Sequence, residues 1–394
     1  MKKLFLSGVA ALLGLATQVH AQSLGEFRFT PNAAISGFNT QHLNNVTPEA
    51  CATTCRDVDH GAWCVSFDYY RASGQCDLSN KRAADVGGLK TDYAGNPYDH
   101  YSLSPAVNAP DPIPGKRHVL VIGIDGLRGD AVRCTGCANP PSLNALIDGG
   151  AFHSDMLAGG PQVTLSGPGW ASNFTGYWAA DHGVTSNDIS QVLKKPHVFD
   201  LIKKVYPDAT TAVVADWANL TQGLMPTGAD FVSRNDAKNS QQATDVVKEW
   251  LSWDNAPTAI FYYLHNVDIH TCCYDPLNAV YQQKILDEDA QIAQVLDALV
   301  HRPDYANEDW LIVVASDHGG LNDNHGGQSA SERDALFILN NTYGKPAAVP
   351  YCHGDLTSYP LTQIDGVTPH VLDFLGIANP TAGRKLPVCG VSSQ

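Results

Sequence analysis

The sequence is poor in basic residues. Its 394 residues contain 25 Lys and Arg against 40 Asp and Glu, which gives a formal net charge of -15. Because nucleic-acid backbones are bound mainly through clustered Lys and Arg side chains, this composition excludes a nucleic-acid-binding surface. Internal repeats and low-complexity tracts are lacking as well. We therefore expect globular domains, and the chain length predicts two of them.

The sequence also lacks an apolar run that could form a transmembrane helix, which needs roughly 20 residues. The run from Leu4 to Leu15 is shorter, and no later segment qualifies, so no transmembrane anchor is expected. Lys2 and Lys3 before this run, and Val19-His20-Ala21 after it, predict a secretory signal peptide over residues 1–21. We expect a secreted or periplasmic protein whose ten cysteines are disulfide candidates.

Four cysteines lie close together in the first part of the expected mature chain, at Cys51, Cys55, Cys64 and Cys76. The first two are one helical turn apart, and Thr47-Pro48 is a suitable helix start. Strands are predicted around the other two, in Cys64 to Tyr70 and from Gly74 onward. The four thiols allow three disulfide connectivities. A metal site is disfavoured here because exported thiols oxidise.

This cysteine-rich segment resembles the PAN/apple domain. The resemblance implies a small disulfide-bonded α+β domain over residues 22–103, with the bonds Cys51–Cys76 and Cys55–Cys64 and with a glycan or protein as its ligand. The Pro-rich residues 104–116 are then a semi-rigid linker. A second domain is expected over residues 117–394.

Three apolar runs in that second domain predict buried strands of a largely parallel sheet: His118 to Ile124, Ala259 to His265 and Trp310 to Ala315. Polar side chains that bind metals follow them, at Asp125, at Asp268, and at Asp317 with His318. Ligands bind at the carboxyl ends of the strands in open α/β sheets, so we expect these side chains to converge. A helix from Gln282 to Val300 has an apolar face that is expected to cover the sheet.

A hydroxyl and an imidazole complete the candidate site. Ser166 lies in Thr164-Leu165-Ser166-Gly167-Pro168, and His325 lies in the glycine-rich Asn324-His325-Gly326-Gly327. A serine hydroxyl is a weak nucleophile at neutral pH unless a base or a cation activates it. Aspartate and histidine donors suit zinc or a similar divalent ion better than calcium. The residue types therefore predict a serine nucleophile assisted by metal ions.

Together with Thr175-Gly176, Asp181-His182-Gly183 and the late segment Val367 to Gly376, these motifs resemble the alkaline phosphatase superfamily, in its type I phosphodiesterase/nucleotide pyrophosphatase branch. The likeness runs from about Lys116 to about Ala378. It implies an α/β fold, a three-layer α/β/α sandwich with a mostly parallel central sheet. It also implies a phosphodiesterase or phosphatase that acts on a small-molecule or oligomeric phosphate ester.

The resemblance further implies a phosphoseryl intermediate on Ser166 and two divalent ions, expected to be Zn²⁺. One ion would be held by Asp125, Asp317, His318 and Ser166, and the other by Asp268, His325 and one more ligand. That further ligand usually stands at the fourth residue after the aspartate, which here is Cys272. We predict that His270 replaces it and that Cys272 forms a structural disulfide, because exported thiols oxidise.

Two alternatives keep the same fold. One is a phosphomonoesterase with the same site, and the other is a recognition or adhesion protein whose hydrolase domain is degenerate. A sulfatase is disfavoured, because the sulfatase pattern ends in Arg where this chain has Trp170. Two bound metal ions in the purified protein would favour an enzyme over the recognition protein.

Overall fold

The computed structural model describes residues 24, 27–56, 59–60, 63–103, 111–217, 219–221, 229–234, 240–269 and 273–390. The predicted signal peptide and the first part of the predicted linker lie outside these ranges. The chain divides into two units, Met1–Ala109 and Pro110–Gln394. Among the described helices, none combines the length and the apolar character needed to cross a bilayer.

In its described residues, the N-terminal unit contains a five-stranded antiparallel sheet and the α-helix Pro48–Cys55. Its strand order is β1–β6–β3–β4–β2, and a two-residue strand, β5, precedes β6. The elements are β1 (Phe27–Pro31), β2 (Gln41–Leu43), α1 (Pro48–Cys55), β3 (Ser66–Tyr70), β4 (Gln75–Ser79), β5 (Leu89–Lys90) and β6 (Tyr98–Leu103).

Disulfides hold the core of this small unit together. Helix α1 begins as its sequence predicts, with the Thr47 hydroxyl accepting a hydrogen bond from Ala50 N. The bonds Cys51–Cys76 and Cys55–Cys64 join the helix to β4 and to the segment before β3, and all four cysteines are buried. These are the pairs that the PAN resemblance implies. They compensate for a core that is small for an independent domain.

The C-terminal unit alternates strands and helices. Its strands are β7 (Arg117–Ile124), β8 (Ala151–Leu157), β9 (Thr211–Ala215), β10 (Phe231–Arg234), β11 (Ala259–Leu264), β12 (Asp309–Ala315), β13 (Asp334–Asn340) and β14 (Gly354–Asp355). Its helices are α2 (Pro141–Gly149), α3 (Ser166–Thr175), α4 (Ala179–His182), α5 (Val198–Val205), α6 (Ser240–Ser252), α7 (Ala279–Val300), α8 (Ala330–Arg333) and α9 (Val367–Phe374).

The strands of this unit lie in the order β14–β8–β13–β12–β7–β11–β9–β10. The run from β12 to β10 is parallel, whereas β13 is antiparallel to both of its neighbours. The three predicted strands are the adjacent β12, β7 and β11 at the centre of the sheet. Their carboxyl ends therefore lie side by side, as the sequence-based argument requires.

Helices cover both faces of the sheet, which makes the α/β/α sandwich. On one face, Leu120 and Ile122 of β7 belong to an apolar core with Trp250 of α6 and Leu296 of α7. On the other face, Gly123 admits helix α3: a Cβ atom there would lie 2.6 Å from the Trp170 ring. The chain needs a glycine at this position so that the nucleophile-bearing helix can approach the sheet closely.

Candidate active site

Strand register brings the predicted acidic residues together. β7 pairs with β12 on one side, Gly123 opposite Ala315, and with β11 on the other, Ile124 opposite Leu264. The residues that follow these strand ends therefore leave the sheet at one edge. Asp125 follows β7, Asp317 follows β12, and Asp268 lies in the turn after β11.

The first cluster, called the buried half, consists of Asp125, Asp317 and His318. All three are fully buried, and one ligand atom from each lies within 4.8 Å of the others. His318 Nε2 is 3.4 Å from Asp125 Oδ1 and 3.3 Å from Asp317 Oδ2. His318 Nδ1 donates to Gly319 O at 2.8 Å, so in the neutral ring, the form that binds a metal, Nε2 is the acceptor nitrogen.

Ser166 adjoins the buried half as the first residue of α3. It is only 2% exposed, and its Oγ lies 3.4 Å from Asp125 Oδ1 and 3.3 Å from His318 Nε2. The dipole of the helix favours negative charge at its N-terminus, where Ser166 lies. The structure thus places the predicted nucleophile beside two of its predicted metal-binding partners.

Asn187 is a neighbour of Ser166 that the sequence analysis missed. Its Oδ1 accepts a hydrogen bond of 2.7 Å from Gly167 N, the residue after the serine. The side-chain amide therefore lies at the start of α3, beside the residue that follows Ser166. Asn187 lies in a loop without a recognisable motif, so no local signal in the sequence could have identified it.

The second cluster, called the open half, consists of Asp268 and His325, which form one candidate ligand group with His318. The side chains of Asp268 and His325 are 13% and 18% exposed, and Asp268 Oδ1 lies 3.6 Å from His325 Nε2. His325 Nδ1 donates to Thr164 O at 2.9 Å, which again leaves Nε2 as the acceptor. The phenol of Tyr274 donates to Asp268 Oδ1.

The two halves adjoin each other. The rings of His318 and His325 stack with their centroids 4.0 Å apart. Both residues belong with Asp268 to a single candidate ligand group. His265, a second residue that the sequence analysis missed, forms another group with Asp125 and Asp268. In the sequence it is the last residue of a predicted strand. Only its buried position beside Asp125 shows that it belongs to the candidate site.

Three carboxylates in one small volume create an electrostatic problem. Burial raises the pKa of Asp317 well above its usual value, and the charges of Asp125 and Asp268 raise it further. Burial also opposes ionisation of Asp125, but the hydrogen bond from His265, with the charges of His265 and His318 when these rings are protonated, outweighs it and holds that pKa well below its usual value. Three carboxylates thus share one buried volume, and a bound cation would relieve their repulsion.

The donor atoms fit divalent cations. Asp317 Oδ2 is buried and has no hydrogen-bond partner among the described residues, and His318 Nε2 lies 3.3 Å from it. Burial and the charge of His318 lower the pKa of His325 and favour its neutral, ligating form. A cation would pair with the orphaned oxygen and neutralise the repulsion, and mixed carboxylate and imidazole donors are those that zinc takes.

Other predicted residues fall outside this geometry. His270 and Cys272 lie outside the described residues, so their roles stay predictions. Cys273 is disulfide-bonded, and Cys134–Cys137 and Cys352–Cys389 are further bonded pairs. His182 does not join the clusters: it lies beneath α3, where its Nε2 contacts Ser172 Oγ at 3.1 Å, and burial lowers its pKa to about 4.

The sequence matches two known families. Residues 119–326 match the type I phosphodiesterase / nucleotide pyrophosphatase family, and residues 25–104 match the PAN domain. No curated protein sequence matches the chain significantly.

Similar solved structures include enzymes with several specificities. A 2-O GAG sulfatase superposes with a TM-score of 0.54 at 17% identity, over 69% of this chain and 73% of that one. Phosphonate monoester hydrolase from Silicibacter pomeroyi superposes with a TM-score of 0.52 at 17% identity, over 68% of this chain and 76% of that one. Murine ectonucleotide pyrophosphatase / phosphodiesterase 5 in complex with AMP superposes with a TM-score of 0.51 at 13% identity, over 68% of this chain and 97% of that one. At these identities the likeness concerns the fold alone.

Proposed function

The chain belongs to the type I phosphodiesterase / nucleotide pyrophosphatase family, and we propose that it is an exported phosphodiesterase that uses Ser166 as its nucleophile at a two-metal site. The family and the fold make it a metal-dependent phosphoric ester hydrolase. The observation that carries the finer proposal is the position of Ser166 Oγ, buried at a helix N-terminus and 3.3 to 3.4 Å from His318 Nε2 and Asp125 Oδ1.

Each part of the site has a task in this proposal. Ser166 Oγ forms a bond to phosphorus while the bond from phosphorus to the leaving alcohol oxygen breaks, and water later hydrolyses the phosphoserine. Gly167 N holds Asn187 Oδ1, which leaves the Nδ2 group of Asn187 to donate to a phosphoryl oxygen. Asp125, Asp317, His318 and Ser166 would hold one cation, and Asp268 and His325 would hold the other.

The cations, proposed to be Zn²⁺, would favour the ionised serine and neutralise developing charge on the phosphoryl group when bound. The protein itself contributes by holding the metal-binding atoms in position. The hydrogen bonds from Nδ1 of His318 and of His325 to backbone carbonyls keep both Nε2 atoms available as ligands. Burial of Ser166 keeps bulk water away from the nucleophile.

The substrate is proposed to be a small or oligomeric phosphodiester. Family membership supports a diester. A phosphomonoester hydrolysed at the same site is the alternative. Trp170 opposes a sulfate ester: its ring packs within the protein against Phe261, with 5.4 Å between centroids, and its Nε1 donates to Asp125 Oδ2 at 3.4 Å. Trp170 thus replaces the arginine of the sulfatase pattern with a buried aromatic residue.

We further propose that residues 1–21 direct export, that residues 22–103 form a recognition module for a glycan or a protein, and that residues 104–116 link it to the catalytic domain. Disulfides in both units support an oxidising compartment. A chain that begins at Pro114 should then keep its activity on small soluble esters. Failure of that shorter chain to fold would show that the module is part of the catalytic unit.

The proposal is tested by assaying the mature chain, starting at Gln22, on p-nitrophenyl esters. The panel contains bis(p-nitrophenyl) phosphate, p-nitrophenyl phosphate, p-nitrophenyl phenylphosphonate and p-nitrophenyl sulfate. We expect the diester to give the highest kcat/KM, with loss of activity after chelation and recovery on adding Zn²⁺. Higher activity on the monoester would establish the alternative, and activity that survives complete metal removal would contradict the metal-dependent site.

A further inference from the structure

The open half has a ligand position that neither family resemblance nor motif assigns. His265 follows β11 directly and is 6% exposed. Asp125 N donates to Leu264 O at 3.0 Å, so the ends of β7 and β11 remain paired up to these two residues. As a result His265 Nδ1 lies 3.4 Å from Asp125 Oδ2. The histidine is held at the sheet edge by backbone pairing rather than by a loop.

Tyr263 determines which nitrogen of His265 carries the proton. The fully buried phenol of Tyr263 donates to Asp125 Oδ2, and its oxygen also lies 2.5 Å from His265 Nδ1. A phenol has one proton, and a metal-binding carboxylate can only accept. The phenol oxygen must therefore accept from Nδ1–H of His265. This leaves Nε2 as the acceptor nitrogen, the same tautomer that His318 and His325 show.

The acceptor nitrogen of His265 is directed toward Asp268. Nε2 lies 4.0 Å from Asp268 Oδ2, and on the other side Asp268 Oδ1 lies 3.6 Å from His325 Nε2. Both separations are too long for hydrogen bonds. Each resembles the separation of two ligands of one zinc ion, roughly 3 to 4 Å when each ligand is 2.0 to 2.2 Å from the metal. His265 shares one candidate ligand group with Asp268 and Asp125, and His325 shares another with Asp268 and His318, so Asp268 is common to both. Trp217 stacks on the His265 ring, with 5.6 Å between centroids and 9° between planes, and fixes its orientation.

We propose that His265 Nε2 binds the second cation together with Asp268 and His325, and that Tyr263 is the positioning residue that holds its ring and its tautomer. The inference rests on the two-metal site of the proposed function. It assigns the third ligand to a residue before Asp268 in the chain, in place of a residue after it. The donor set is then one carboxylate and two imidazoles, which is typical of zinc.

The test is a Zn²⁺ titration of the chelator-treated mature chain, followed by calorimetry and by metal analysis. We expect wild type to bind two ions tightly. His265→Ala should keep one ion and bind the second at least about 10-fold more weakly. Losing only a group that orients a metal ligand already weakens binding by this factor, so losing the ligand itself should cost no less. Added imidazole should restore the second ion and its Co²⁺ absorption spectrum, because the free base can occupy the vacated position. A merely structural histidine would not be replaced in this way.

Matched variants keep the test decisive. His118→Ala removes another buried histidine, at the opposite end of β7, and should bind both ions as wild type does. Tyr263→Phe should weaken the second ion less than His265→Ala does, and it should also weaken the first ion, because the phenol donates to Asp125 as well. If circular dichroism shows His265→Ala to be unfolded, His265→Gln replaces it in the same titration.

Unchanged binding of both ions by the His265 variant would overturn the inference and leave the proposed function intact, and His270→Ala would then become the variant to titrate. Binding of fewer than two ions by wild type would instead contradict the two-metal site itself. The two failures are therefore distinguishable.

Discussion

The buried half and the open half of the site are built from similar donors but are held in different ways. Asp125, Asp317 and His318 are fully buried and directly follow central strands of the sheet, so the backbone itself fixes them. Asp268 lies in the turn after β11 and His325 in the loop after β12, and their side chains remain 13% and 18% exposed. There, side-chain and backbone hydrogen bonds from Tyr274 and to Thr164 provide the orientation.

The difference teaches where rigidity and where adaptability lie in this site. A fully buried acidic cluster without a cation is costly, because charge is poorly stabilised in a protein interior. We therefore expect the buried half to bind its ion tightly and to be distorted most when that ion is removed. The open half can relax toward water, so its ion should exchange more readily. The following experiments test this contrast, from the largest expected effect to the smallest.

Removal of the nucleophile should have the largest effect. Ser166→Ala is expected to lower kcat by at least about 10³-fold, as for other covalent nucleophiles, with both ions retained. The matched control is Ser172→Ala, which removes another buried hydroxyl of the same helix and should keep most activity. Steady-state kinetics and metal analysis measure both. Retention of more than a few per cent of activity by Ser166→Ala would show that water attacks the substrate directly.

Loss of a hydrogen bond in the open half should have a smaller effect, which is confined to the affinity for one ion. Tyr274→Phe removes the phenol that donates to Asp268 and should weaken the second ion about 10- to 100-fold, the usual effect of losing a group that orients a metal ligand. Affinity for the first ion should not change. A Zn²⁺ titration separates the two, and equal weakening of both ions would mean that the halves behave as one unit.

The rates at which the two ions leave the protein should differ by a smaller factor. During chelation of the loaded protein, we expect one ion to leave roughly tenfold faster than the other, because exposed loops open at a lower free energy than central strands. Metal analysis against time should show two phases in wild type. In Asp268→Asn the fast phase should disappear, whereas loss of the slow phase alone would contradict the contrast between the halves.

The smallest effect concerns the stability of the metal-free protein. Burial and the charges of Asp125 and Asp268 hold the pKa of Asp317 well above the unfolded value of 3.8. The folded state thus binds this proton more tightly than the unfolded chain. Its contribution to stability is complete below pH of about 3.8 and is lost as the pH rises toward the folded pKa.

Asp317→Asn should therefore raise the Tm of the metal-free protein at neutral pH by roughly 2 to 8 °C, because it removes a poorly solvated charge. The same exchange at the partly exposed Asp268 should change Tm less. Thermal unfolding between pH 4 and 8 measures both. A metal-free Tm that does not depend on Asp317 at any pH would show that water or ions from solvent already stabilise the carboxylate.

Several parts of the fold and site were predictable from local sequence. The strands that flank the site were predicted within a residue, because buried central strands are continuous apolar runs: the predicted Trp310 to Ala315 is observed as Asp309–Ala315. The acidic residues after these strands were recognisable because parallel strands end at one edge. Helix α7 was predicted from its apolar face, although it begins at Ala279, where the side chain of Asn278 caps it.

The residues that the sequence analysis missed share a physical cause. His265 looked like the end of an apolar strand, and its role emerges only from the pairing of β11 with β7 and from the proton of Tyr263. Asn187 is distant from Ser166 in sequence and reaches α3 only because its loop folds back. Neither contact has a periodic or local signal, because each joins segments that are brought together by the sheet.

The amino-acid sequence by itself determined the chemical types in the site, the strand ends that carry them and the family to which the chain belongs, because these depend on local patterns of polarity and spacing. Only the tertiary structure decided which donors face one another, which nitrogen of each histidine is the acceptor and which half is closed to solvent. Those properties depend on packing and hydrogen bonds between segments far apart in the chain, and the position of one backbone relative to another determines them.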